Sequence, residues 1–283
     1  MKLHTRNKLS RSRLGNLVVL VLLAAMGVFT AIPFLFSIVQ SIKPVDELFV
    51  YPPRLTVSRP TLDNFAVLFN LTSSTWVPVS RYLFNSLLLT VCGTVGNVVV
   101  CSMAAYPLAK LKFHGRKLLF NLVVVSLLFT YEVTFIPNYV ILSKLQMLDT
   151  FWALLLPAVA TPMGLFLFGL LHGIILCMER LGLRRALEQL PRLFRHLYTV
   201  VLLWLTLVIF SFQSLWNREG LEFIFSEELK MFPTILKQVA SSGVARAGAA
   251  AAAAVILMIP PIVVFLLSQS NVIETMASSG IKE

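Results

Sequence analysis

The first long apolar stretch of the chain, residues 14–42, reads LGNLVVLVLLAAMGVFTAIPFLFSIVQSI. It contains no ionisable side chain, and it exceeds the roughly 20 apolar residues that a helix needs to cross the hydrocarbon core of a bilayer. Five further stretches of similar length follow at 82–109, 118–143, 150–178, 196–217 and 247–273. Backbone groups in hydrocarbon must bond within their own segment. The sequence therefore predicts an all-α, polytopic membrane protein with about six transmembrane helices.

Composition excludes a soluble globule. Of the 283 residues, 57% are hydrophobic and 13% are charged, whereas soluble domains carry roughly 25% charged residues. The mean hydropathy of +0.82 leaves too little polar surface to cover a water-soluble protein of this size.

Basic residues predict the orientation of the spans, because cytoplasmic loops of membrane proteins are enriched in Lys and Arg. With a cytoplasmic N-terminus, the inner segments are the basic tail 1–13, then 110–117, the loop 179–195 and the tail 274–283. The outer segments are 43–81, 144–149 and 218–246. The inner segments hold 15 of the 24 Lys and Arg residues and a net charge of +11, against +1 outside. Both termini are therefore predicted to be cytoplasmic, and the basic balance gives no support for nucleic-acid binding.

The basic N-terminus resembles the start of a signal peptide, but the run that follows is too long. A cleavable segment has an apolar core of roughly 7–15 residues. We therefore expect 14–42 to be a retained first span.

Chemistry-bearing motifs are absent from the sequence. There is no GxxxxGK[ST], no HExxH and no CxxC. Cys92, Cys101 and Cys177 all fall inside predicted spans, and an odd count there argues against disulfides or a metal site. We expect no catalytic residue, no metal and no cofactor in this chain, so that energy for transport would come from a partner subunit or an ion gradient.

Glu132 is the one acidic residue within a predicted span. An intramembrane carboxylate costs at least about 2.5–3.5 kcal/mol and usually has a function or a partner. Glu132 is therefore a candidate pathway or gate residue, and the alternative is that it reaches a wet vestibule in the outer third of its helix.

Local signals predict two further features. A short helix in the outer loop, capped by Thr61 or Asp63, would present Phe65, Leu68 and Phe69 on its apolar face. The run 249–254 is all alanine and predicts close helix packing, and the following Pro260-Pro261 pair predicts a kink or local unwinding of the last span.

Short motifs in a fixed order carry a resemblance to a known family. They include SIKP at 41–44, YPP at 51–53, TLDNF at 61–65, AYPLAK at 105–110 and IPNY at 136–139, and the likeness resumes from Ile209 to the C-terminus. In these features the chain resembles the inner-membrane permeases of binding-protein-dependent carbohydrate ABC importers, in the branch that includes the maltose-system permease MalG. The resemblance implies a type I importer (MetI-like) transmembrane fold in the bacterial plasma membrane and import of a sugar or oligosaccharide. It also implies a second permease subunit, two cytoplasmic ATP-binding subunits that bind the ATP, and an extracytoplasmic sugar-binding protein as partners.

The loop that should engage the ATPase departs from the family. The family has E-A-A-x-x-x-G in this loop, whereas residues 179–191 read ERLGLRRALEQLP. The candidate coupling residues are Glu179, Gly182, Arg184 and Arg185. Leu on one helical face and Arg on the other would suit a helix that lies on membrane lipid. We therefore expect weak coupling between this chain and its ATPase subunits. The alternative is that a different helix of similar shape still docks on the ATPase.

Residues 169–210 carry a second likeness. GLLHG at 169–173, ERL at 179–181 and RHLYT at 195–199 resemble membrane-bound O-acyltransferases. A chimera, in which one stretch replaced another, would explain both likenesses. The rival hypothesis is an acyltransferase-like enzyme that uses His172, and a third is a permease-shaped chain that inserts without coupling.

Overall fold

The computed structural model describes residues 13–50, 52, 56–73, 77–111, 113–167 and 192–280. Every regular element in these ranges is helical, which confirms the all-α prediction there. The helices are α1 (Arg13–Ser41), α2 (Val45–Leu48), α3 (Asp63–Ser73), α4 (Val79–Lys110), α5 (Arg116–Ser126), α6 (Tyr131–Lys144), α7 (Phe151–Val159), α8 (Arg192–Trp216), α9 (Phe232–Ser241) and α10 (Ala247–Gly280). A helical stretch at 162–167 follows α7, and 3₁₀ turns lie at Glu227–Leu229 and Val244–Arg246.

Within the described residues, three helical stretches are long and apolar enough to cross a membrane: Leu17–Ser41, Val79–Ala105 and Ala247–Ser268. The bent pair α5 and α6 would make a fourth, and Phe151–Leu167 and Trp204–Trp216 are shorter apolar helices. Apolar helices of this length identify a membrane protein. The count of six spans and the cytoplasmic termini stay predictions.

The stretch 118–143 differs from the single helix that the sequence predicts. It forms α5 and α6, whose axes meet at 110° across a turn at 127–130. The Ser126 hydroxyl donates to the Val123 carbonyl (2.7 Å), which competes with the helical ladder. Thr130 is extended (φ −73°, ψ 163°), so the helix restarts only at Tyr131. Pro137 lies inside α6 and is not at the break.

Helix α4 lies at the centre of the bundle, where it packs against α7, α8 and α9. Helix α10 packs against α1, α3, α8 and α9. Its buried Ala249, Ala252 and Ala253 share a core with Leu68 of α3 and Phe232 of α9. Small side chains allow such close approach. Helix α10 continues through the proline pair at 260 and 261, so the local unwinding predicted there is not found.

The predicted short helix in the outer loop is present as α3. Leu68 is fully buried, whereas Phe69 is 47% exposed. The buried Asn64 amide donates to the carbonyls of Ser41 (2.9 Å) and Lys43 (2.6 Å), which caps the end of α1. A Cβ at Gly248 would lie 2.2 Å from Asn64 Oδ1, so only glycine permits this contact between α3 and α10.

Candidate functional site

A cavity of about 920 Å³ lies where α6, α7 and the segment after α8 meet. Small-molecule sites commonly occupy roughly 300–1,000 Å³. Tyr131 and Asn138 line it from α6, and Arg218 and Glu222 line it from the segment after α8. The break between α5 and α6 contributes Phe129. The break between α5 and α6 therefore forms part of the cavity wall.

Charged groups gather on one wall of this cavity. The guanidinium carbon of Arg218 lies 5.2 Å from the centre of the Tyr131 ring, in cation–π range. Arg218 and Glu222 both act electrostatically on Tyr131. One carboxylate oxygen of Glu222, Oε2, is buried without a hydrogen-bond partner in the described part of the chain. The Tyr131 hydroxyl lies close enough to interact with the Glu222 carboxylate, so Arg218, Tyr131 and Glu222 form one polar group on this wall.

Asp149 positions the segment that carries Arg218 and Glu222. Its Oδ1 accepts hydrogen bonds from the backbone N–H of Phe225 (2.9 Å) and Ser226 (2.8 Å). The Ser226 hydroxyl donates to Oδ2, and the Asp149 N–H donates to the Phe223 carbonyl (2.8 Å). The Ser226 hydroxyl and the two N–H groups hold the pKa of Asp149 below its ordinary value, because they favour the ionised form. Asp149 thus fastens the outer loop to the turn between α6 and α7.

The first turns of α4 hold the same outer loop from the other side. The Asn85 amide donates to the carbonyls of Glu228 (2.7 Å) and Lys230 (3.1 Å). The Tyr82 hydroxyl donates to Glu227 Oε1 (2.7 Å), and Lys230 pairs with the same carboxylate. Burial alone would raise the pKa of Glu227, but the hydrogen bonds from Lys230 and Tyr82 outweigh it and lower that pKa. The loop is therefore fixed to the helix at the centre of the bundle.

The cavity wall on the side of α7 depends on Asn97 of α4. Pro162 has no N–H, so the carbonyl of Ala158 loses its helical donor. The fully buried Asn97 amide donates to that carbonyl (2.7 Å) and to Thr161 Oγ1 (2.6 Å). Ala158 and Thr161 both line the cavity. Asn97 thus replaces the missing bond at the helix break and fixes this part of the wall.

The candidate residues from the sequence fall elsewhere. Glu132 lies exposed in the first turn of α6, and the described lining of the cavity includes its neighbour Tyr131 but not Glu132. Its role in the pathway stays a prediction.

The coupling candidates and the candidate acyl-transfer residue lie outside the described residues. These are Glu179, Gly182, Arg184, Arg185 and His172. Cys177 lies there as well, whereas Cys92 is an exposed free thiol and Cys101 a buried one.

Sequence reasoning missed the residues that form and hold the cavity. Asn97 is one of few amides within an apolar span, and this isolation could have identified it from the sequence as a candidate site residue. Arg218 and Glu222 belong to the outer loop 218–246, which also holds three other acids. No local pattern separates Glu222 from those acids, because its burial depends on the packing of distant segments.

Comparison with solved structures shows which fold the chain has. A bacterial ABC transporter involved in the import of the acidic polysaccharide alginate matches this chain with a TM-score of 0.70 and 16% identity, over 93% of this chain and 99% of that chain. The fold is that of an ABC importer permease.

Sequence comparison identifies the family. The chain is 30% identical to the putative ABC transporter permease protein ORF2 of Caldicellulosiruptor sp. over 225 residues, which is 76% of each chain. It belongs to the ABC transporter permease family. No family model matches it.

Two other relatives match over shorter regions. LplC of Bacillus subtilis is 33% identical over 171 residues, or 59% of this chain and 54% of LplC. The arabinooligosaccharide transport system permease AraQ of Halalkalibacterium halodurans is 30% identical over 151 residues, or 51% of each chain. The chain spans about half the length of these two relatives.

Proposed function

We propose that this chain is the permease subunit of an ABC importer that moves a sugar or oligosaccharide across the membrane by alternating access. The observation that carries the proposal is the 30% identity to an ABC permease over 76% of the chain. The name of AraQ points to saccharides as the solute. The cavity beside two helix breaks suits a transport path, because discontinuous helices form substrate sites in many transporters.

The proposed assembly follows from the family. It places the chain in the bacterial plasma membrane as a multi-pass subunit, in contact with membrane lipid and in the position of the MalG-like partner. A second permease subunit completes the path, and an extracytoplasmic sugar-binding protein delivers the solute. Two cytoplasmic subunits bind and hydrolyse ATP, so this chain needs no cofactor and no catalytic residue of its own.

Uptake by the reconstituted complex tests this function. The chain is co-expressed with its partner subunits and placed in liposomes with ATP inside, and accumulation of radiolabelled arabinotriose is measured with the binding protein outside. We expect accumulation that requires ATP and disappears when the ATPase lacks its phosphate-binding lysine. An assembled complex that accumulates no saccharide, but does accumulate another class of solute, would overturn the proposal.

The atypical loop 179–195 leads to a proposal about coupling. Its five basic residues and leucine-rich face suit the membrane surface better than the cleft of an ATPase. We expect weak saccharide-stimulated ATP hydrolysis, and a clear increase when a family-type E-A-A loop replaces 179–195. Strong stimulation in the original chain, without an increase after replacement, would show that the native loop couples well.

Acyl transfer remains the rival that the likeness of 169–210 favours. It requires His172, so a labelled acyl donor tests it directly. Transfer of label to a saccharide by the wild-type chain, and its loss in His172→Ala, would support that rival. Equal background labelling by the wild-type chain and by His172→Ala would exclude acyl transfer.

A further inference from the structure

Helix α10 consists of two halves that differ in their packing. Before the proline pair at 260 and 261, Ala249 and Ala253 are buried in the core that α10 shares with α3 and α9. After the pair, the helix is largely exposed, and Leu267 reaches 73% exposure. The bundle therefore holds the first half of α10 firmly and the second half only loosely.

The second proline removes a hydrogen bond that another helix replaces. Proline has no N–H, so the carbonyl four residues earlier loses its donor within the helix. For Pro261 that carbonyl belongs to Leu257, and the indole Nε1–H of Trp216 in α8 donates to it at 2.8 Å. Trp216 is only 2% exposed, and its ring stacks with that of Phe212 (centroids 6.2 Å apart, planes 9° apart). A rigidly held side chain of α8 thus supplies the missing bond.

A second cavity gives α10 space to bend beside the proline pair. It has a volume of about 470 Å³ and lies between α1, α8 and α10, with Phe34, Phe212 and Pro261 among its lining residues. Prolines are a main cause of sharp kinks in helices, of more than about 20°. The second half of α10 can therefore tilt at the pair without disturbing the core that holds the first half.

Trp216 connects this part of α10 to the larger cavity. Asn217 and Arg218 follow Trp216 directly in the chain, and both line the cavity of about 920 Å³. Asn217 also lines the cavity beside the proline pair. A displacement of the Leu257 carbonyl therefore acts on the wall of the larger cavity through the Trp216 indole and the backbone that adjoins it.

We propose that the proline pair is a hinge of α10, that the Trp216 indole is a latch that keeps this hinge straight, and that the latch links bending of α10 to the cavity wall at Asn217 and Arg218. Hinges of this kind concentrate a change of shape in a few residues. The link to transport rests on the proposed function, whereas the hinge and the latch do not. Trp216 is a positioning residue that acts through Asn217 and Arg218.

A double-mutant cycle on the purified complex tests the latch. Trp216→Phe keeps an aromatic ring but removes the donor to Leu257, and it should lower the midpoint of thermal unfolding by about 2–6 °C. Pro261→Ala returns an N–H to the helix, so Trp216→Phe should cost less than about half as much in that background. Pro260→Ala is the matched control. It restores the donor to the carbonyl of Ile256 and not to that of Leu257, so the full loss should persist.

Distances between spin labels test the hinge without nucleotide or solute. The labels are placed at Leu267 and at Met103 of α4, which is 71% exposed. Trp216→Phe should add a second population to the distance distribution, displaced by about 3 Å, which a bend of about 20° produces over six helical residues. Pro261→Ala should suppress that population, because the helix then holds the Leu257 carbonyl itself.

Uptake of arabinotriose tests the link to transport. The double variant Pro260→Ala/Pro261→Ala stiffens α10, so it should raise the midpoint of unfolding and yet lower ATP-dependent uptake by at least about threefold. A purely structural role of the prolines would not make uptake fall while stability rises. Unchanged uptake in this variant would overturn the link.

The outcomes separate this inference from the function on which its last part rests. Equal losses from Trp216→Phe in the wild-type and Pro261→Ala backgrounds would overturn the latch. Identical distance distributions in wild type and Trp216→Phe would overturn the hinge, even if uptake of arabinotriose persists. Absence of uptake of any saccharide by the wild-type complex would instead overturn the proposed function.

Discussion

Helices α1 and α4 are both long and apolar, yet they occupy opposite environments. Every residue of α1 from 17 to 36 is exposed, and the helix packs mainly on α10. Helix α4 is surrounded by α7, α8 and α9 and buries Asn85, Ser86 and Asn97. The polar residues of a span thus mark the helix at the centre of the bundle, because there they can bond to neighbouring backbone that the fold leaves without partners.

Replacement of Asn97 should give the largest effect. Asn97→Leu keeps the number and branching of the side-chain heavy atoms, although its methyl groups are larger, and it leaves the Ala158 carbonyl buried without a donor. We expect a loss of about 2–3 kcal/mol in the free energy of unfolding, measured by denaturation of the purified complex. Leu20→Ala on the exposed face of α1 is the control and should change stability by less than about 0.5 kcal/mol. Equal losses of stability at the two positions would show that α1 and α4 do not differ in their environments as the structure indicates.

Alanine substitutions at two glycines test how closely the centre of the bundle is packed. Gly220 and Gly243 both adopt positive φ, at 72° and 102°. A Cβ at Gly220 would lie 2.8 Å from Leu154 Cδ1, whereas a Cβ at Gly243 would meet nothing within 4 Å. Backbone strain of about 1 kcal/mol applies to both alanine variants. Overpacking should lower the free energy of unfolding of Gly220→Ala by roughly a further 1–2 kcal/mol.

Thermal denaturation of the two glycine variants side by side checks this difference. Equal losses of stability would mean that the loop after α8 is not packed as closely against α7 as the structure shows.

The Asp149 contact gives a smaller and pH-dependent effect. Its pKa in the folded protein is below the ordinary value of 3.8, so its ionised form stabilises the fold at neutral pH. That contribution is lost as pH falls through the lowered pKa. At neutral pH, Asp149→Asn should lower the free energy of unfolding by about 1 kcal/mol. The value is small because the site is exposed.

The pH profile of stability provides the check on Asp149. The difference between wild type and Asp149→Asn should shrink as the medium is acidified below the ordinary pKa. A difference that stays constant down to the lowest pH at which the complex remains assembled would show that the charge of Asp149 contributes nothing.

Glu132→Gln should give the smallest effect on stability and tests the candidate that the sequence suggests. Glu132 is exposed, so we expect unchanged stability and a loss of uptake of no more than about twofold. If Glu132 belongs to the pathway, uptake will fall by clearly more than the amount of protein in the membrane. Uptake equal to wild type would leave Glu132 as a vestibule residue.

The fold class was predictable because long apolar runs and short capped helices are local properties of the sequence. The positions of the helix breaks were not predictable from the sequence. Pro260 and Pro261 lie inside a continuous helix, whereas the break at 127–130 contains no proline. The outcome at each site depends on partners elsewhere, as Asn97 illustrates at the break before Pro162.

The cavity was beyond the reach of sequence patterns. Tyr131 lies far from Arg218 and Glu222 along the chain, and it meets them only because Asp149 and the start of α4 fix the outer loop. The predicted coupling residues lie outside the described part of the chain, whereas residues 192–195 of the predicted loop 179–195 belong to α8, which begins at Arg192.

Cysteine accessibility at Asn138 tests most directly whether the saccharide passes through this cavity. The three native cysteines are replaced by alanine, and Asn138→Cys or the control Glu228→Cys is then modified from the outside with a membrane-impermeant thiol reagent. We predict that modification at 138 abolishes ATP-dependent arabinotriose uptake and that excess arabinotriose slows the modification, whereas modification at 228 changes neither. Full modification at 138 with unchanged uptake would contradict the account.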